Sequence, residues 1–244
     1  MSGYVCSITP DCLDGKGLAR IPALYGIIIN AIGLHIREEG LGIDTMEEKG
    51  LSWALARGAV EFGRRPSLYE KVTVDVKDGD HGRWSFAKYV RVTDAEGNLI
   101  AGSVTDWCVI SKDTHKPALL DAVSTEEPGT RPCTPPLRLR PFASGAKSSR
   151  TVGYSECDFN GHLNNCRFVE MFYDLLPLPF ATRPGNIRLD INFVREVPLG
   201  AKVVSYLKTE NGYTYDYCIH NAGAPACCAS VSILHPGVGE LFTA

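Results

Sequence analysis

The sequence has no strong excess of charge of either sign. It contains 25 Lys and Arg residues against 28 Asp and Glu residues, and the formal net charge at pH 7 is −3. A protein that binds nucleic-acid phosphates is usually strongly basic, so this balance argues against a nucleic-acid partner. The composition, 44% hydrophobic and 22% charged, is that of an ordinary globular protein.

Regularly spaced cysteines are also missing. The nine cysteines include no Cys-x-x-Cys pair, so their spacing points to no particular site. An odd number of cysteines without a secretion signal indicates reduced thiols, and we therefore expect a cytoplasmic location.

No segment has the pattern of an export signal or a membrane span. The first residues, MSGYVCSITPDCLDGKG, lack a basic stretch followed by an apolar core, and nothing marks a transit peptide. The most apolar run, residues 21–36, is too short to cross a bilayer and carries Asn30 and His35. We expect no membrane insertion, and we interpret this run as a buried helix.

What the sequence does contain is the same order of elements twice. Pro22 near a helix start, apolar residues every three or four positions and Gly40 after the last turn predict a helix over 21–40. Runs rich in Val, Trp, Tyr and Phe then predict four strands, at 51–62, 69–76, 83–92 and 99–110. A second helix over 164–176 is followed by four more predicted strands, at 186–194, 201–209, 213–220 and 226–234.

A stretch with five prolines, residues 124–149, separates the two copies and is typical of an extended linker packed along the surface. We therefore predict two domains, 1–124 and 149–244, joined by a linker over 125–148. The fold class is α+β, and each domain wraps a long antiparallel sheet around its central helix. Two such sheets joined edge to edge would hide their edge strands.

One short segment carries an unusual concentration of polar groups. In CDFNGHLNN, Asp158, Asn160 and His162 stand at every second position, directly before the second helix. Residues two apart in an extended chain point the same way, so these side chains can converge. Gly161 permits a tight bend, and Asn164 or Asn165 can cap the helix.

The first copy serves as a comparison. Its helix follows DGKGLARIP, which has no His or Asn at the matching places. A purely structural motif would be expected in both copies, so its presence in one favours a chemical role. A calcium loop fits poorly, because Gly161 is at the fourth place instead of the sixth and Val169 stands where a bidentate Glu belongs. We predict neither a metal nor a cofactor.

At this point the sequence resembles a known family. CDFNGHLNN is similar to the Asp-x-Asn-x-His-(Val/Leu)-Asn-Asn motif of the acyl-acyl-carrier-protein (acyl-ACP) thioesterases of plants and bacteria. LSWALARGAVEFGRRPSLYEKVTVDV and VTDAEGNLIAGSVTDWCVIS are similar to the N-terminal domain of that family. The resemblance covers nearly the whole chain. It implies two tandem hotdog domains and hydrolysis of acyl-ACP to free fatty acid and holo-ACP, which terminates fatty acid synthesis.

The resemblance also implies a fourth catalytic residue. Family members of plants carry an Arg-Glu-Cys step whose Glu takes part in catalysis, and Arg195-Glu196-Val197 matches it here. Val197 replaces the cysteine once proposed as nucleophile, which argues against a thiol mechanism. The candidate catalytic residues are therefore Asp158, Asn160, His162 and Glu196.

Several mechanistic roles stay open at this stage. Asn160, with His162 and the first amides of the helix, is a candidate to polarise the thioester carbonyl. Glu196 and His162 are candidates to orient and deprotonate water. Asp158 is a candidate base, a candidate nucleophile that forms an anhydride, or the residue that orients its neighbours.

Substrate and partner contacts follow from the resemblance. The family places the acyl chain in the N-terminal domain beside the first helix, so the candidate lining residues are Ile27, Ile28, Ala31, Ile32 and Trp53. The candidate docking residues for the acidic carrier protein are Arg64, Arg65, Arg138 and Arg140. A monomer or a homodimer fits two fused hotdog domains. The alternative functions are an acyl-CoA thioesterase of the same fold and a non-catalytic acyl-binding module.

Overall fold

The computed structural model describes residues 3–119 and 128–234, and the predicted boundary between residues 124 and 125 lies outside these ranges. The strands are β1 (Tyr4–Ser7), β2 (Leu51–Phe62), β3 (Lys71–His81), β4 (Phe86–Thr93), β5 (Leu99–Ser111), β6 (Ala146–Thr151), β7 (Ile187–Phe193), β8 (Lys202–Thr209), β9 (Thr214–Asn221) and β10 (Ala224–Ile233). The helices are α1 (Ile21–Glu38), α2 (Ile43–Glu48), α3 (Asn165–Tyr173) and α4 (Leu178–Ala181). Two short 3₁₀ turns, Pro10–Cys12 and Tyr154–Glu156, lie upstream of α1 and α3.

One antiparallel sheet of ten strands runs through both halves of the chain. Its order is β1-β3-β4-β5-β2-β7-β10-β9-β8-β6, so the strand order of the second half mirrors that of the first. The halves meet where β2 pairs with β7, from Arg57 opposite Asn192 to Phe62 opposite Ile187. The predicted α+β fold with two tandem hotdog units, joined edge to edge, is confirmed.

The two long helices lie side by side against one face of this sheet. The buried side of α1 includes Tyr25, Ile28 and Ile32, each with almost no exposed surface. Phe172 of α3 stacks on Tyr217 of β9, with ring centroids 5.0 Å apart. Since each buried aliphatic or aromatic side chain stabilises the fold by roughly 1.5–3 kcal/mol, these helices anchor the core.

The sequence pattern does not predict four of the short elements, β1, β6, α2 and α4. All six residues of β6 are exposed, and among the described residues the strand AKSSRT pairs only with β8. Such an edge strand shows no apolar alternation, because neither face is buried. It begins at Ala146, inside the segment assigned to the linker.

Residues 128–145 cross the face of the sheet opposite the helices. Arg188, Asp190 and Asn192 alternate with core residues along β7 and therefore point to this face. The backbone N–H of Leu137 donates to Asp190 Oδ1 at 2.9 Å, and that of Leu139 donates to Asn192 Oδ1 at 2.9 Å. The connection is therefore fastened by hydrogen bonds over the seam between β2 and β7.

None of the helices in the described ranges has the length and apolarity needed to cross a bilayer.

Candidate active site

The turn before α3 is shaped by a single carboxylate. Asp158 Oδ1 accepts hydrogen bonds from the backbone N–H of Asn160 at 2.9 Å and from that of His162 at 3.3 Å. Gly161 adopts a φ of 76°, and its N–H donates to the carbonyl of Asp158 at 3.0 Å. A side-chain carboxylate that binds the following backbone in this way fixes the turn.

The same turn occurs before α1. Asp14 Oδ1 accepts from the backbone N–H of Lys16 at 2.8 Å and from that of Leu18 at 3.4 Å. Gly17 has a φ of 73°. The Asp and the Gly thus form the same structural turn in both halves of the chain.

The two turns differ in the side chains that they present. Each helix begins seven residues after its Asp, which aligns Asn160 with Lys16 and His162 with Leu18. The groups that are special to the second half are therefore the amide and the imidazole, whereas the carboxylate is common to both.

A neighbouring segment brings Glu196 to the imidazole. The backbone N–H of Leu163 donates to the carbonyl of Val197 at 2.8 Å, which holds the turn beside residues 196–199. His162 Nδ1 then lies 3.5 Å from Glu196 Oε2. Both side chains are accessible, since 32% of His162 and 65% of Glu196 is exposed.

The equivalent position in the first half is closed by an ion pair. There the N–H of Ala19 donates to the carbonyl of Pro66 at 2.8 Å, so Arg65 corresponds to Glu196. The Arg65 side chain has no exposed surface and forms an ion pair with Asp14. It also donates to three backbone carbonyls, those of Leu18, Ala181 and Arg183.

The N-terminus of α3 borders the same site. Asn164 caps the helix, because its Oδ1 accepts from the N–H of Cys166 at 2.8 Å. The aligned amides of the first turn give this end a partial positive charge, which favours a developing anion.

A cavity of about 530 Å³ contains the candidate catalytic groups. The first half contributes β2, the end of β5 and the turn after it, and the second half contributes the turn, the start of α3 and the end of β7. All four predicted catalytic residues lie on its wall: Asp158, Asn160, His162 and Glu196. We call it the catalytic cavity.

A second cavity of about 830 Å³ adjoins the first. It lies between α1, α2, the start of β2 and the turn before α3, and we call it the α1–α2 cavity. Six residues line both cavities and mark their junction: Ser52, Trp53, Lys112, Asp158, Asn160 and Asn165.

The strand pairing explains why a cavity opens here. β2 pairs with β7 only from Arg57 onward, whereas its preceding residues pair with β5 alone. Leu51 to Ala56 therefore diverge from the end of β7, and the catalytic cavity fills the fork. At that end of β7, the N–H groups of Val194 and Arg195 both donate to the carbonyl of Ala226, which bends the chain away from β2.

Trp53 is held rigidly at the junction. Its Nε1–H donates to the carbonyl of Leu41 at 2.9 Å, and its ring meets Phe86 edge-on with centroids 5.4 Å apart. A large ring fixed at both ends can separate one cavity from the other.

The predicted residues of α1 lie elsewhere on that helix. Ile28, Ala31 and Ile32 are buried in the core, and Ile27 is half-buried against it. None of the four lines either cavity; α1 contributes other residues to the α1–α2 cavity, among them Ile29, Gly33 and Ile36. The role of Ile27, Ile28, Ala31 and Ile32 in substrate binding stays a prediction.

The four predicted docking arginines have different surroundings. Arg138 and Arg140 are exposed on the connection between the halves. Arg64 is partly exposed and forms ion pairs with Glu70 and Asp94. Arg65 is buried, so we leave it out of the proposed docking surface.

One cysteine beside the site, Cys166, is a poor nucleophile. Burial raises the pKa of the Cys166 thiol to about 11, so it stays protonated at neutral pH. Cys157 donates its thiol to the carbonyl of Gly153 at 3.6 Å. Val197, which stands in place of the cysteine of plant relatives, is fully buried.

Sequence reasoning missed Lys112 and Ser52 at the junction, and it considered Asn165 only as a helix cap. Lys112 lies just after β5, where its backbone N–H donates to the carbonyl of Gly50 at 2.9 Å. The segment SKDTHK reads as an ordinary polar turn, and no spacing relates it to residues 158–165. Only the folded sheet brings the two segments together.

A separate cluster of charged groups lies between α1, β3 and β4. His35, Glu39 and Asp78 are close enough to resemble a metal site. Lys88, which is 4% exposed, already pairs with both carboxylates, so its ammonium group supplies the positive charge. We interpret the cluster as an ion-pair network.

The chain is similar to known proteins over most of its length. A model of the acyl-ACP thioesterase N-terminal domain matches residues 7–124, and one of the acyl-ACP thioesterase C-terminal domain matches residues 141–232. No curated protein sequence matches the chain.

Solved structures show the same fold. An acyl-ACP thioesterase from Bacteroides thetaiotaomicron is 26% identical with a TM-score of 0.85, and the match covers 94% of this chain and 96% of that one. A 12:0-ACP thioesterase from Umbellularia californica is 16% identical with a TM-score of 0.79, with 94% and 95% of the two chains covered.

Proposed function

This chain belongs to the acyl-ACP thioesterase family and is a thioester hydrolase, and we propose that it hydrolyses acyl-ACP to free fatty acid and holo-ACP. Such a reaction terminates fatty acid synthesis. The observation that carries the proposal is the cavity between the two halves, in which His162 lies 3.5 Å from Glu196 and which Asn160 also lines.

The two adjoining cavities suit the two parts of this substrate. The acyl chain occupies the α1–α2 cavity, which Ile29, Ile36 and Met46 help to line. The phosphopantetheine arm enters through the catalytic cavity. The thioester then lies at the junction, beside Asp158 and Asn160.

His162 and Glu196 activate the water. Glu196 accepts the Nδ1–H of His162, so Nε2 is unprotonated and takes a proton from water as the water oxygen attacks the thioester carbon. The separation of 3.5 Å exceeds a normal hydrogen bond and shortens when substrate excludes solvent. When the C–S bond breaks, His162 returns the proton to the thiolate of the arm.

Asn160 stabilises the charge that develops on the carbonyl oxygen. Its side-chain amide donates to the oxyanion, and the first-turn amides of α3 add their partial positive charge. A fixed donor of this kind acts mainly on the transition state, so its removal lowers kcat more than it raises KM.

Asp158 orients these groups. Its Oδ1 already accepts two backbone N–H groups, as Asp14 Oδ1 does in the half without the imidazole. We assign it to shaping the turn, in preference to the roles of base or nucleophile.

The carrier protein and the domain limits complete the proposal. The positively charged side chains of Arg64, Arg138 and Arg140 attract the acidic carrier protein. We propose an N-terminal domain over 1–124 and a C-terminal domain over 149–244, joined by a linker over 125–148 whose last residues, from Ala146, already belong to β6.

The test is hydrolysis of acyl-ACP substrates of graded chain length by the purified protein. We expect turnover by the wild type and a fall in kcat of roughly 100- to 10,000-fold for His162→Ala and Glu196→Gln. Asn160→Ala should lose roughly 100- to 1,000-fold. Circular dichroism of each variant checks that the fold is intact.

Two other outcomes would replace this proposal. Faster turnover of acyl-CoA than of acyl-ACP would make the protein an acyl-CoA thioesterase. Acyl binding without turnover, unchanged in His162→Ala, would make it a non-catalytic acyl-binding module.

A further inference from the structure

Lys112 is the cationic side chain at the junction of the two cavities. Of the six residues that line both cavities, Asp158 is acidic, Lys112 is basic and the others are neutral. The remaining basic residues of the cavity walls, such as Arg37 and Arg195, each line one cavity. The thioester of the proposed function lies at this junction, so the inference below rests on that function.

The backbone and side chain of Lys112 are both held in place. The hydrogen bond from its N–H to Gly50 fixes the residue beyond the end of β5. Its Nζ forms an ion pair with Glu47 Oε1 of α2, and 35% of the side chain is exposed. The ammonium group is thus tethered at the rim of the junction, with donors to spare beyond its single carboxylate partner.

We propose that Lys112 is a further catalytic residue, whose Nζ donates a hydrogen bond to the carbonyl oxygen of the thioester. As water attacks the carbonyl carbon, the C=O electron pair moves onto oxygen, and a nearby ammonium group stabilises that negative charge. Asn160 supplies a donor from the second half of the chain and Lys112 one from the first. The first half, which lacks the imidazole, therefore contributes directly to the reaction.

The same position also explains the choice of a lysine over a neutral donor. The junction lies in a fork between protein walls, where a charge interacts more strongly than in bulk water. The Glu47 carboxylate keeps the ammonium group localised without occupying all three of its N–H groups.

The test compares Lys112→Met with three other variants on two substrates. Lys112→Arg keeps the charge, Glu47→Gln removes the tether, and Lys116→Met removes a lysine of the same turn that lines neither cavity. The substrates are acyl-4′-phosphopantetheine and acyl-pantetheine with the same acyl group, so that they differ only in the phosphate.

We expect Lys112→Met to lower kcat roughly 10- to 100-fold on both substrates. KM should change by less than about threefold, since the contact forms mainly in the transition state. Lys112→Arg should recover most of the activity, and Lys116→Met should retain at least about a third of it. Glu47→Gln frees the ammonium group without removing it, so it should lose less activity than Lys112→Met. Thermal unfolding of all variants should agree within a few degrees, because an exposed ion pair contributes little stability.

Four results would overturn the inference. A loss of activity confined to acyl-4′-phosphopantetheine would mean that Lys112 binds the phosphate. A loss in Glu47→Gln equal to that in Lys112→Met would mean that Lys112 acts only through its ion pair with Glu47, which connects α2 to the end of β5. Wild-type activity in Lys112→Met would remove it from the mechanism while the proposed function stands. Failure of the wild type to hydrolyse either substrate or acyl-ACP would refute the proposed function itself, and the inference with it.

Discussion

Arg65 and Glu196 occupy equivalent positions in the two halves of the chain, and each faces the Asp-Gly turn of its own half. In the first half, Arg65 forms a buried ion pair with Asp14. In the second half, Glu196 approaches His162 at 3.5 Å and remains 65% exposed. The same position thus holds a buried structural ion pair in the first half and an exposed carboxylate on the cavity wall in the second.

Removal of Arg65 should destabilise the protein. Burial alone would raise the pKa of Asp14, but hydrogen bonds from Arg65 and from the backbone lower that pKa. Arg65→Met leaves the carboxylate without its cation, so we expect the free energy of unfolding to fall by about 3–5 kcal/mol. Urea denaturation measures the change.

Arg64→Ala is the matched control. Arg64 is 41% exposed in its ion pairs, so its removal should cost no more than about 1 kcal/mol. Equal losses of unfolding free energy in the two variants would show that the buried ion pair of Arg65 with Asp14 does not stabilise the fold more than an exposed one.

Asp158 should tolerate an amide in place of its carboxylate. Asn retains an Oδ1 that accepts the two backbone N–H groups, so kcat/KM of Asp158→Asn should stay within about tenfold of wild type. Asp158→Ala loses both bonds and releases the turn, and kcat/KM should fall by about 100-fold or more. The measurement is kcat/KM of both variants on acyl-ACP. An inactive Asp158→Asn with an intact fold would show that the negative charge of the carboxylate takes part in the chemistry.

Trp53 should control the passage of the acyl chain at the junction. In the proposed binding mode every acyl chain passes this ring to enter the α1–α2 cavity, so Trp53→Ala should lower kcat/KM roughly tenfold for long and short chains alike. Trp53→Phe keeps an aromatic wall and should lose less. If Ile32→Val changes the ratio of kcat/KM for long over short acyl chains and Trp53→Ala changes nothing, the chain lies along the apolar face of α1, as the sequence suggests.

His35 should contribute stability that disappears at alkaline pH. Burial alone would lower the pKa of His35, but the carboxylates of Asp78 and Glu39 outweigh this effect and raise it to about 9, even with Lys88 nearby. The folded-state pKa lies above the unfolded value of about 6.5, so the contribution is complete below pH 6.5 and is lost as pH rises through 9.

The measurement is denaturation of wild type and His35→Gln at pH 6 and at pH 10. The difference in unfolding free energy between the two proteins should shrink by about 3 kcal/mol at the higher pH. A difference that does not change with pH would show that the imidazole is neutral throughout.

Long, apolar elements could be predicted from the sequence, and short or polar ones could not. β2 spans 51–62 as predicted, because apolar and aromatic residues mark both of its faces. β3 begins at Lys71, two residues later than predicted, because Tyr69 takes a φ of 62° and turns the chain. β6 has no apolar pattern at all, since only its backbone pairing with β8 makes it a strand.

The residues of the site also fall into those that the sequence identifies and those that only the folded structure brings together. Alternation brought Asp158, Asn160 and His162 to attention, and the resemblance supplied Glu196. The extended conformation that the alternation assumed is wrong, because residues 158–161 form a turn closed by the hydrogen bond from Gly161 to Asp158. Helical periodicity identifies the face of α1 that packs on the sheet, whereas the α1–α2 cavity borders another face of that helix. Lys112 belongs to a segment some fifty residues away from the motif, so only tertiary structure relates it to the junction.

The continuous β2–β7 seam has a consequence for the stoichiometry of turnover. Two identical subunits paired in this way would present two equivalent centres, related by symmetry and obliged to share every substitution. Here the two halves belong to one polypeptide, so one turn can change without the other. Under the proposed function, each polypeptide therefore handles one acyl group at a time. A single-turnover burst would therefore scale with the number of chains, whatever assembly the chains form.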